Sequence, residues 1–64
     1  MNLKDLRLSK KMTQEELAEK LLVAVPTVRK WEQGKTIPSI TDMYGIARVM
    51  NVEVAEVTSI YIFK

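Results

Sequence analysis

Sixty-four residues, 47% hydrophobic and 28% charged, with a net charge of +2, describe one small globular domain over 1–64 rather than a disordered segment. The chain has no cysteine and no histidine, which excludes a disulfide framework, thiolate or imidazole metal sites and histidine acid–base catalysis. No apolar run approaches the ~20 residues of a membrane helix, and MNLKDLRLSKK lacks a signal-peptide core, so the expected location is cytoplasmic.

The first predicted helix covers roughly 2–10, with Asn2 as N-cap and Leu3, Leu6 and Arg7 on one face. Lys10, Lys11 and Met12 connect it to the next. Thr13 caps a second helix, and Glu16 three residues later completes a capping box. Leu17, Ala18 and Leu21 form its inner side, while Glu15 and Glu19 face water. A tight turn at Leu22 and Val23 leads to a third helix over about 25–33, which should stop at Gly34, a residue suited to a left-handed backbone. Residues 13–34 therefore read as a helix-turn-helix unit.

After a loop from Lys35 to Pro38, Ser39 and Asp42 signal another capping box. It opens a helix through about Met50 whose inner face is Met43, Ile46, Ala47 and Met50. Gly45 lies inside that helix at a cost near 1 kcal/mol relative to alanine. Asn51 should end it, and a short fifth helix carries Val54 and Val57. The remaining tail, Ser59-Ile60-Tyr61-Ile62-Phe63-Lys64, is β-prone and too apolar for an idle terminus. Two readings stand for 58–64: a segment that folds back on its own core, or one that pairs two copies of the chain. The fold class is thus all-α, a bundle of about five short helices with a short β-type tail.

The third helix carries the chemistry. On a wheel of about 100° per residue, Trp31 and Glu32 fall within about 60° of Val28 and form the inner arc. Pro26, Arg29, Lys30 and Gln33 occupy the opposite arc, with Val25 and Thr27 on its shoulders. This outer face offers two cations and an amide with no acid, although most exposed cations on helices are merely solvated. Arg and Lys suit the O6 and N7 acceptors of guanine, Gln suits adenine, and Val25 suits a thymine methyl. Charge is segregated to match. Arg29, Lys30 and Lys35 cluster mid-chain with only Glu32 among them, while Asp5, Glu15, Glu16 and Glu19 precede them and Glu53 and Glu56 follow.

Glu32 sits on the arc that should be buried, where an unpaired carboxylate is costly. Arg7, on the inner face of the first helix, is the expected partner. Trp31 is expected in the core rather than against a base. Ser9, Ser39 and Ser59 have no histidine to activate them, so an enzyme is not expected, nor is a cofactor, a metal or a small-molecule substrate.

Residues 3–57 resemble the phage repressor/Cro (Xre-type) helix-turn-helix family, whose fold is lambda-repressor-like. The resemblance is carried by LKDLR at 3–7, MTQEELAEKL at 12–21, TVRKWEQGKTIPS at 27–39 and IARVMNV at 46–52. It implies a regulator that places the helix 25–33 in the major groove, as a homodimer on a palindromic double-stranded operator, usually to repress. Residue by residue, it implies base contacts from Val25, Pro26, Arg29 and Lys30. Phosphate contacts fall to Gln14, Thr27, Gln33 and Lys35, and a buried ion pair to Arg7 and Glu32. Three departures bear on the reading helix. Leu22 replaces a frequent glycine, Ala24 replaces a serine N-cap, and Pro26 should push Val25 out of helical geometry so that the helix starts one residue late. The alternative is a protein-interaction module, such as an antitoxin or anti-repressor partner, using Val25 and Pro26 as an apolar contact.

Overall fold

The computed structural model describes residues 1–62, and five helices follow in chain order: α1 Leu3–Ser9, α2 Gln14–Leu21, α3 Val25–Gln33, α4 Ile40–Met50 and α5 Val54–Ile62. Among the described residues there is no strand, and no helix is long and apolar enough to cross a membrane.

The starts of the helices follow from short-range polar chemistry. The Asn2 side chain accepts from the Asp5 amide at 2.7 Å. Thr13 and Glu16 form the full reciprocal box, with the Glu16 N–H donating to the Thr13 hydroxyl at 3.0 Å and the Thr13 N–H donating to the Glu16 carboxylate at 2.9 Å. The Thr13 amide, then its hydroxyl and Lys20, holds the Glu16 carboxyl below its ordinary range. At α4 only half the expected box forms. The Asp42 amide donates to the Ser39 hydroxyl, but that hydroxyl donates back to the Asp42 carboxylate at 3.0 Å, so the Ser39 amide is not capped.

The helix ends repeat one device. Lys11, Leu22, Gly34 and Asn51 all have left-handed backbones, with φ of 56°, 59°, 75° and 58°. In each case the next amide reaches back five residues: Met12 to the Arg7 carbonyl, Val23 to Ala18, Lys35 to Lys30 and Val52 to Ala47, at 3.0–3.2 Å. Met12, Val23 and Val52 then pack against the core. Three of the four turns accept a non-glycine residue in a conformation that costs side chains about 1–2 kcal/mol.

The core joins Leu3 and Leu6 of α1, Leu17 and Ala18 of α2, Val28 and Trp31 of α3, Met43, Ile46, Ala47 and Met50 of α4, and Val57 of α5. α2 packs on α3 and α4, α1 on α3, and α4 on α5. Gly45 permits the approach of α2, since a Cβ there would lie 3.1 Å from Leu21 Cδ2.

Two expectations are corrected. The β-prone tail is helical through Ile62: Val57 is fully buried, and Ile60 and Tyr61 are half-buried against the core, so tertiary burial overrides β-propensity. Phe63 and Lys64 lie outside the described residues. Nor does α3 start late. Val25 is its first residue and Pro26 its second, where the missing N–H is one that a helix start leaves unpaired anyway.

Candidate nucleic-acid interface

α2, the turn at Leu22–Ala24 and α3 form the helix-turn-helix. Leu17 and Ala18 face inward from α2, and Val28 and Trp31 from α3. Burial of that face forces the opposite arc outward: Pro26, Arg29, Lys30 and Gln33 are all exposed, with Val25 and Thr27 half-buried at the margins. Lys35 is exposed in the loop beyond. All eight residues expected to contact nucleic acid lie on α3, its following loop or the start of α2.

The orientation of α3 is fixed by a polar knot at its C-terminal end. Arg7 Nε donates to Glu32 Oε2 at 2.6 Å, and Arg7 Nη2 donates to Oε1 at 3.2 Å. Arg7 Nη1 donates to the Met12 carbonyl at 2.8 Å, tying in the turn that leads to α2. The paired side chains are only 7% and 5% exposed, so this is a desolvated bidentate pair rather than a surface contact. Burial works against the Glu32 charge, but the Arg7 guanidinium, the Gln14 amide and nearby Lys4 outweigh it and hold its carboxyl below the ordinary range.

Gln14 belongs to this knot too. Its side-chain nitrogen donates to Glu32 Oε1 at 3.0 Å, so the first residue of α2 is bonded to the last turn of α3. The Tyr61 hydroxyl donates to the Trp31 carbonyl at 3.4 Å, and burial, with the Glu32 charge adding to it, pushes its pKa up to about 12. Neither contact of Gln14 nor of Tyr61 was legible from the chain. The Tyr61 bond spans 30 residues and leaves no local trace.

The other end of α3 is held less firmly. Ala24 provides no side-chain cap, and Leu22, 92% exposed, occupies the left-handed turn where a glycine would be free of strain.

A shallow concavity of about 390 Å³ lies beside this helix, lined by Lys4, Gln14, Arg29, Glu32 and Gln33. Lys4 was not among the expected contacts, although it stands one turn before Arg7 on the same side of α1, the side that must face Glu32. Arg29, expected among the base readers, also lines this recess.

The helix-turn-helix family model (HTH_3) matches residues 3–57. The chain belongs to the Xre-type helix-turn-helix family. Its relatives include the HTH-type transcriptional activator BcrR of Enterococcus faecalis, 39% identical over 57 residues, which are 89% of this chain but 28% of that protein. Two uncharacterized HTH-type transcriptional regulators of Archaeoglobus fulgidus are 43% identical over 61 residues and 46% over 52. Those alignments cover 95% and 81% of this chain, and 82% and 70% of the relatives. No solved structure matches significantly. Residues 3–57 are thus a helix-turn-helix domain of a family whose named relatives are transcriptional regulators, and the chain spans just over a quarter of the length of BcrR.

Proposed function

We propose that this helix-turn-helix protein is a sequence-specific regulator of cytoplasmic DNA that sets α3 in the major groove. The observation that supports this most is the partition of α3. Val28 and Trp31 are buried, Arg29, Lys30 and Gln33 are exposed without an acid among them, and the Arg7–Glu32 pair fixes the helix in place. Val25, Pro26, Arg29 and Lys30 meet base edges, Val25 against a thymine methyl and the two cations against guanine. Gln14, Thr27, Gln33 and Lys35 meet phosphates.

One such module neutralises few phosphates, so useful affinity requires two half-sites about one helical turn apart and a homodimer on a palindrome. The end of α5, where Ile62 is exposed, supplies an apolar surface for pairing. We read the effect as repression by occupancy of the operator. BcrR is named an activator, so a promoter fusion assayed with and without the protein decides the sign.

Selection of binding sites from random duplex DNA at moderate salt tests the reading. A palindromic consensus is expected, and failure to enrich any motif sinks it. The relatives, named as transcriptional regulators, do not favour the interaction-module alternative.

A further inference from the structure

We infer that Lys4 of α1 and Arg29 of α3 clamp one backbone phosphate in the recess between α1, α2 and α3, so that Arg29 reads the DNA backbone and Lys30 is the sole cation left to read bases. The inference rests on the operator-binding reading above and assigns a different role to one of its residues.

Three observations carry it. Lys4, Gln14, Arg29, Glu32 and Gln33 line one open concavity, so the two cations share a space. The acid in that space is already spent. Glu32 receives two bonds from Arg7 and one from Gln14, and Arg7–Glu32 is the one ion pair among the described residues. Lys4 and Arg29 therefore make no ion pair of their own, although the Glu32 charge still acts on Lys4, and both side chains are exposed.

The floor of the recess is equally suited to an oxyanion. Gln14 is the first residue of α2, at the positive end of its dipole, and its side chain is immobilised by Glu32. Thr13 and Glu16 satisfy each other's amides, and no acceptor within the described chain takes the amides of Gln14 and Glu15. A phosphate there meets two cations and the first residue of α2, beside a Glu32 carboxylate already neutralised by Arg7, and such contacts position a protein on DNA without reading sequence.

The consequence for specificity is direct. With Arg29 turned to the backbone, base recognition narrows to Lys30 and the apolar Val25 and Pro26. The preferred half-site should be short, with one guanine contact beside thymine methyls.

The test uses the full chain, its selected operator and every single-base variant of one half-site, with binding followed by anisotropy across a salt series. Lys4→Gln combined with Arg29→Gln should weaken binding about tenfold on all sequences alike and lower the slope of log affinity against log salt by about 0.9 per protomer. Lys4→Arg keeps the charge and should restore most of the affinity. Lys30→Gln should instead relax preference at one base pair. Equal unfolding midpoints for all variants exclude a folding effect, as expected for exposed side chains. The clamp is overturned if Arg29→Gln relaxes preference at one base pair with the salt slope unchanged, or if Lys4→Gln alters neither affinity nor slope. A wild-type chain that binds no duplex removes the operator reading itself, before any variant is made.

Discussion

The two ends of α3 are built to different standards. The C-terminal end carries a desolvated bidentate ion pair, a buried tryptophan, a tyrosine bond from α5 and a glycine where the backbone turns left-handed. The N-terminal end has no side-chain cap, a proline in its first turn and a strained, exposed leucine before it. The contrast separates two tasks. Aim is set at the end far from the turn, through α1 and α2, while Pro26 is exposed at the lightly held end, beside a Val25 that packs on the margin of the core. A reading surface carried on such an end can change without moving the helix.

If this division is right, damage to the knot should dwarf damage to the turn. Glu32→Ala strands the Arg7 guanidinium and should cost about 3–5 kcal/mol, seen as loss of most or all of the cooperative transition in urea. A loss comparable to a surface substitution would break the comparison. Replacing both partners, Arg7→Met with Glu32→Leu, should recover much of that stability while loosening DNA specificity.

At the weak end the expected changes are gains. Ala24→Ser supplies the missing acceptor for the first turn and should stabilise by about 1 kcal/mol, read as a higher urea midpoint. Leu22→Gly relieves the left-handed strain of about 1–2 kcal/mol but loosens the unfolded chain, leaving a net gain of about 0.5–1 kcal/mol. If either substitution destabilises, the turn is held by contacts beyond those described here.

The smallest effect should come from Tyr61→Phe, which removes one long hydrogen bond and should cost at most about 0.5 kcal/mol. Its pH signature is sharper. The folded-state tyrosine titrates near 12 against an ordinary 10.0, so its contribution is intact below pH 10 and disappears as pH rises through 12. The phenylalanine variant should lose that alkaline limb. Glu32 runs the other way: its lowered carboxyl contributes stability above its ordinary 4.5, which is lost as pH falls through the folded value. Acid titration of the wild type should show this loss, and Glu32→Gln should flatten it.

Features encoded within a few residues were readable from the chain. Asn2, Thr13 and Gly34 act through partners three to five positions away, and their roles follow from residue type and spacing. The Arg7–Glu32 pair was readable across 25 residues because a buried acid demands a cation and one inner arc offered it. The end of α5 was not. Ile60, Tyr61 and Ile62 have the composition of a strand, and only the burial of Val57 and its neighbours, a property of the assembled core, makes them helical. Pro26 misled for a narrower reason: it suits a first turn, but its steric bias on the preceding residue is only a preference, and Val25 is helical all the same. The bond from Gln14 to Glu32 was hidden because a glutamine at a helix start has an equally good use toward solvent or phosphate.

The repeated reverse turn at Lys11, Leu22 and Asn51 also determines where this domain can change length. Each of those links is measured by a single amide returning to a carbonyl five residues earlier, and one inserted residue would pull that amide off its acceptor while rotating everything downstream. The chain at Ile37, exposed and beyond the amides of Lys35 and Thr36 that return to the Lys30 carbonyl, is where extra residues would be absorbed as slack.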